Sequence, residues 1–311
     1  MIIDTDTGSD DAVALVMAMR DPNVKIEAVT VVAGNGPLEM ALQNALYTRE
    51  ICDCSAPLYA GCAAPMFRAL ETAQDVHGVD GMGDIGLPLQ GRQPESGHAV
   101  DVLIELILRY PGKITLVTLG PLTNIAVALM KNPSIAQKVE NCVMMGGASD
   151  ARGNVSQVAE FNIWADPEAA KIVFESGMPI TMVGWDISRK YAVFDKAEAA
   201  ALRAVGTPLA EFCMDIQGKV DEFALEVTQL RGFDLPDPIS MAVAQDSATA
   251  TMTQKLYVEI EPGDGLCRGQ TVVDYLGVAG KEPNVEVVLE ASRERFLEIL
   301  YTAVGGEYTR D

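Results

Sequence analysis

Basic side chains are scarce in this chain of 311 residues: 23 lysines and arginines stand against 44 aspartates and glutamates, a formal net charge of −21. Such a surface repels phosphate backbones and anionic membranes, which argues against a nucleic-acid partner and leaves a neutral or cationic small molecule. Histidine is scarcer still, with only His77 and His98. The six cysteines, Cys52, Cys54, Cys62, Cys142, Cys213 and Cys267, form no CxxC pair, and the chain is far longer than a disulfide framework. They read as free thiols of a reducing, cytoplasmic compartment. No apolar run reaches the roughly 18–20 residues of a membrane span. The N-terminus has no basic region followed by an apolar run, so no signal peptide is expected. Repeats, low-complexity tracts and linker-like stretches are missing too, and one domain over 1–311 is expected.

What is present is an unusual start. The opening "MIIDTDTGSDDAVAL" holds Asp4, Asp6, Asp10 and Asp11 within its first eleven residues, beside the most apolar early stretch. Short β-branched runs then alternate with helical patterns. Strands are expected near 1–5, 25–32, 113–119, 139–145 and 179–185, and helices over 10–20, 38–51, 98–110, 121–131 and 167–176. Pro121 and Pro167 stand where a first helical turn tolerates proline. Residues 55–97 and 203–236 read as less regular excursions, and 250–290 as further short strands. Alternation of this kind predicts an α/β fold whose mainly parallel, Rossmann-like central sheet is flanked by helices.

The polar residues that do not fit a core fall at the ends of these strands. Asp4 to Asp11 follow the first, Asn35 the second and "TLGPLTN" the third, while "MGG" and "DARGNVSQVAEFN" follow the fourth. In a parallel sheet the carboxyl ends form one rim, where ligands bind. Asp10 and Asp11 also suit a helix N-terminus electrostatically, but four carboxylates around one turn exceed what capping needs. Oxygen donors without matching His or Cys favour Ca²⁺ or Mg²⁺ over zinc, and Asp237 in "LPDPISMA" offers a distant further carboxylate. Asn35, Asn154, Glu160 and Asn162 are groups that bind hydroxyls, as in sugar recognition. His77, in a Gly-rich loop, can reach a site as a donor. His98 opens an apolar helix and reads as a cap, and Trp164 and Trp185 read as packing residues.

The ordered set "DTDTGSDDAVAL", "AGN", "NAL", "HG", "TLGPLTNIA", "MGG", "GN…AEFN", "DPEAA", "PDP" and "RGQTVVD" covers most of the chain and resembles the inosine-uridine-type nucleoside hydrolases. The resemblance implies the nucleoside hydrolase fold, bound Ca²⁺, a homodimer or homotetramer, and hydrolysis of the N-glycosidic bond of ribonucleosides to ribose and free base in nucleoside salvage. By the same resemblance, Asp6 would be the general base that activates a Ca²⁺-bound water. Asp6, Asp10, Asp11, Asp237 and the Leu119 carbonyl would hold the ion, with Asp4 supporting them. Asn35, Asn154, Glu160 and Asn162 would grip the ribose, Met145 and Phe161 would line its pocket, and His77 would lie on the base side. Many members carry histidine directly before the late metal-binding aspartate; here that residue is Pro236, and Trp185 stands where an aliphatic side chain is expected. Two other readings fit parts of the chain. "IIDTDT" matches the DxDxT motif of haloacid-dehalogenase-type phosphatases, with Asp4 as nucleophile and "VDGMGD" (Asp80, Asp84) as an acidic pair. A nucleoside binder without catalysis is the other.

Overall fold

The computed structural model describes residues 1–308. Its eleven strands are β1 (Ile2–Thr5), β2 (Ala28–Val31), β3 (Leu58–Ala60), β4 (Ile114–Thr118), β5 (Val139–Met145), β6 (Ile180–Val183), β7 (Val193–Phe194), β8 (Phe233–Asp234), β9 (Ala250–Ile260), β10 (Thr271–Asp274) and β11 (Val285–Ala291). Nine of them form one sheet in the order β10-β9-β11-β6-β5-β4-β1-β2-β3, and β7 pairs with β8 apart from it. All pairs from β11 across to β3 are parallel, while β9 runs antiparallel to both its neighbours. The fold is the expected helix-flanked, mainly parallel α/β arrangement.

Side-chain alternation explains why the middle strands are apolar throughout. Ile3, Val29, Val117 and Val143 face one core, and Ile2, Ala28, Leu116 and Cys142 face the other. With helices on both faces, neither side of the sheet is left to water. The expected strands and helices stand within three residues of their observed bounds, and 139–145 and 38–51 match them. The segment 203–236 departs from its reading as irregular chain. It carries the helices Pro208–Asp215 and Gly218–Phe223 and a π-turn at Ala224–Thr228. Each is eight residues or fewer, too short for its periodicity to stand out from the surrounding sequence. The region 250–290 also holds one strand of eleven residues rather than only short ones.

Topology fixes where a ligand can sit. From β1 the chain builds outward through β2 and β3, then returns to add β4, β5 and β6 on the other side of β1. The strand order reverses between β1 and β4, so a crevice opens beyond their carboxyl ends.

Candidate active site

β1 ends in Asp4-Thr5, Asp6 follows it directly, and the chain turns into the helix Ser9–Arg20. Asp10 and Asp11 occupy its first turn, and Asp237 occupies the first turn of the helix Pro236–Gln245, so two helix N-termini aim partial positive charge at the carboxylates. One oxygen from each of Asp10, Asp11 and Asp237 lies within 4.8 Å of the others. All three residues are buried, as are Asp4 and Asp6.

Each acid is held differently. Asp4 pairs across β1 and β2 with Thr30, and its Oδ1 accepts from Thr30 Oγ1 at 2.5 Å and from Asn124 Nδ2 at 2.8 Å. Asp11 accepts from Thr5 Oγ1 (2.5 Å), the Gly8 amide (2.9 Å) and Asn35 Nδ2 (3.0 Å). Asp6 accepts the Asn35 amide at 2.7 Å on Oδ2, while its Oδ1 is buried without a donor. Asp10 Oδ1 is likewise buried and unpaired, with His77 Nδ1 at 3.7 Å. The Asp6 carboxylate fits only because Gly34 and Gly120 flank it: a Cβ on either would overlap its oxygens.

Burial pushes Asp4 and Asp10 up to about 7 and Asp11 to about 6. Asp6 and Asp237 are raised well above the ordinary range by burial and then by their charged neighbours. Among the described residues, no lysine or arginine lines the cavity beside them. Several buried acids, three orphaned carboxylate oxygens on Asp4, Asp6 and Asp10, and no cationic side chain among the described lining residues suit a hard, oxygen-loving cation. Asp10, Asp11 and Asp237 fit a metal, and the fold brings these three together.

A cavity of about 390 Å³ opens over this cluster. Asp10, Asn35, His77, Leu119, Met145, Asn154, Glu160, Phe161, Asn162 and Asp237 all line it, whereas Asp6 and Asp11 lie behind its wall. Glu160 caps the short helix Phe161–Ala165: its Oε1 accepts the Asn162 amide (2.8 Å) and its Oε2 accepts the Gly147 amide (2.8 Å). Burial raises its carboxyl to about 7. Asn162 Nδ2 donates to the Leu119 carbonyl at 2.7 Å, and Asn154 Oδ1 accepts the Phe161 amide at 2.9 Å. Among the described residues Asn162 Oδ1 and Asn154 Nδ2 make no hydrogen bond and remain for a ligand. Asn35 donates its backbone amide to Asp6 and its Nδ2 to Asp11, which makes it a brace for the acids as well as a wall residue.

Several wall residues were not singled out from the sequence. Asp234 accepts from Trp185 Nε1 (3.0 Å) and Ser188 Oγ (2.6 Å), so the unexpected tryptophan is one half of a buried pair. Trp164 and Trp185 both face the cavity, so packing is not their whole role. Only the spacing of Asp234 and Asp237 in "FDLPDP" could have hinted at the first. Ser9 and Gln217, 208 residues apart, meet beside His77, and nothing local marks them. The Arg268 guanidinium of "RGQ" lies 3.7 Å over the Trp164 ring and pairs with Glu71 at 3.0 Å, bracing the cavity mouth. His98 caps the helix Ala99–Arg109, as its place in the sequence suggested.

The geometry does not favour the phosphatase reading. Asp4 is wholly buried, and its Oδ1 is held by Thr30 and Asn124. Asp80 Oδ1 is occupied in its own loop by the amides of Met82 and Asp84.

The chain is similar to known proteins along nearly its whole length. The pyrimidine-specific ribonucleoside hydrolase RihB of Escherichia coli (strain SE11) is 38% identical over 309 residues, covering 98% of this chain and 97% of that one. A plant nucleoside hydrolase, PpNRh1, superposes with a TM-score of 0.92 at 31% identity, covering 97% of this chain and 98% of that one. The purine-preferring ribonucleoside hydrolase from Gardnerella vaginalis gives 0.89 at 30% identity over 97% of both chains. The family model for inosine-uridine preferring nucleoside hydrolase matches residues 1–298, and the chain therefore belongs to that family of enzymes, which hydrolyse N-glycosidic bonds.

Proposed function

We propose that this protein hydrolyses ribonucleosides to ribose and free base, with Ca²⁺ held by Asp10, Asp11, Asp237 and the Leu119 carbonyl, and with Asp6 as general base. The observation that carries the reading is the pairing of the three-acid cluster with the orphaned Oδ1 of Asp6 beside it. Bound there, Ca²⁺ would supply positive charge to orient the attacking water and the ribose hydroxyls, acidifying that water only modestly. A carboxylate base is then needed. Asp6 has one oxygen fixed by the Asn35 amide and the other free to accept a proton.

Cleavage of an N-glycosidic bond develops positive charge on the sugar, as in other glycoside hydrolysis, and nearby carboxylates stabilise it. Glu160 accepts backbone amides on both oxygens and keeps lone pairs for ribose hydroxyls. Asn154 and Asn162 contribute their free amide groups, and Met145 and Phe161 pack against the sugar. The apolar wall of Val220, Phe223 and Val227 suits the planar face of a base. Family resemblance supports the rest of the reading: one domain over 1–311, two or four chains per assembly, a cytoplasmic location and a role in salvage. No helix among the described residues is long and apolar enough to cross a membrane.

The test is release of free ribose from inosine, adenosine, uridine and cytidine, each incubated with protein and Ca²⁺. Ribose from any of them, abolished in Asp6→Asn, supports the assignment. Nucleoside binding without ribose release would instead favour a non-catalytic binder.

A further inference from the structure

His77 has a neighbour pair that decides which of its nitrogens carries the proton. Gln217 Nε2 lies 3.0 Å from the Ser9 carbonyl and 3.3 Å from the Cys213 carbonyl. Both oxygens can only accept, so the amide orientation is fixed without appeal to electron counts: nitrogen toward the carbonyls, Oε1 toward Ser9. Ser9 Oγ sits 3.2 Å from that Oε1 and 3.0 Å from His77 Nδ1. A hydroxyl has one proton. If Ser9 gives it to Gln217, the contact with His77 is satisfied by Nδ1–H donating to Ser9. If Ser9 gave it to Nδ1, Gln217 Oε1 and Ser9 Oγ would face each other as two buried acceptors, a penalised arrangement.

His77 lines the cavity, its Nδ1 is the nitrogen engaged by Ser9, and among the described residues no group hydrogen-bonds to its Nε2.

We propose that Ser9 and Gln217 are positioning residues that lock neutral His77 as its Nδ1–H tautomer, so that Nε2 meets the ligand as a bare acceptor. The group opposite it must therefore be a donor, either a base N–H or a ribose hydroxyl. His77 thus selects rather than protonates: a neutral ring in this state has no proton on Nε2 to give. This rests on the nucleoside reading for the identity of the donor, but the tautomer itself does not.

The first measurement is ¹⁵N NMR of histidine-labelled, Ca²⁺-loaded protein at pH 8, where imidazole is mostly neutral. With only two histidines, a His98→Gln variant assigns the spectrum. The coupling of Nε2 to both ring C–H protons, against one strong coupling for Nδ1, tells the nitrogens apart. An unprotonated Nε2 and protonated Nδ1 in the wild type, shifting toward Nε2–H in Ser9→Ala and Gln217→Met, is the expected result. A wild type already protonated on Nε2 overturns the proposal, whether or not the variants fold.

The second measurement compares uridine with N3-methyluridine and 5′-deoxyuridine, and inosine with 1-methylinosine. A site built to accept from a donor rejects the analogue lacking it, here by at least about tenfold in kcat/KM. Loss on N-methylation assigns a base N–H, and loss on removing the 5′-hydroxyl assigns the sugar. Parent nucleosides cleaved as slowly as their analogues would overturn the acceptor role and leave hydrolysis standing. No cleavage of any parent would sink the hydrolase reading, with the tautomer still decided by the spectrum.

Discussion

A methyl group at Gly120 would overlap the Asp6 carboxylate, and one at Gly34 would do so from the other side. Gly120→Ala is therefore expected to move the carboxylate or the β4 end. Misplacement of about 1 Å can cost about 100-fold in rate, and overpacking costs about 1–3 kcal/mol of stability. Turnover and urea unfolding, measured on the same preparation, check both; an unchanged kcat would mean that Asp6 need not hold its place. Asp6→Asn keeps an oxygen for the Asn35 amide while removing the base, so turnover should fall about 10²–10⁴-fold with Ca²⁺ still bound. Asp10→Ala should empty the metal site. Elemental analysis finding one Ca²⁺ per chain in that variant would contradict its role as a ligand.

Among the elements, the helix Pro167–Glu175 shows how a family motif can be structural. Asp166 of "DPEAA" caps it through the Ala169 amide (3.1 Å), and its other oxygen accepts from Thr123 Oγ1 (2.7 Å) and the Met66 amide (2.9 Å). That carboxylate ties a surface loop to two helices. Asp166→Ala loses a cap and leaves buried donors unpaired, an expected cost of about 2–4 kcal/mol by chemical denaturation. The strands and long helices were legible in the sequence because each carries enough apolar periodicity to state its own type. β5 and the helix Leu38–Ile51 are examples. β3 was not, since three residues after Pro57 hold no pattern. The carboxylate cluster was legible because its acids crowd one strand end. Trp185 with Asp234, and Ser9 with Gln217, were not, because their partners lie 49 and 208 residues away and only the folded chain brings them together.

For the whole molecule, the acids make stability depend on pH and metal together. The carboxyls of Asp4 and Asp10, raised to about 7, and of Asp11, raised to about 6, bind protons more tightly folded than unfolded. Their contribution in metal-free protein is thus fully present below the unfolded value near 3.8 and is lost as pH rises through about 6–7. Melting in chelator should show Tm falling from pH 4.5 to 7.5. Added Ca²⁺ should raise Tm more at pH 7.5 than at pH 5, because it replaces protons; equal increments at both would mean the ion binds elsewhere. The helix Ser9–Arg20 adds a kinetic side to this. Every residue from Ser9 to Ala18 is buried, so its amides are expected to exchange with deuterium only through global unfolding. Asp10 and Asp11 then belong to the last segment to come apart. A metal held by these residues is therefore expected to leave by its own escape through the cavity mouth rather than by breathing of this helix.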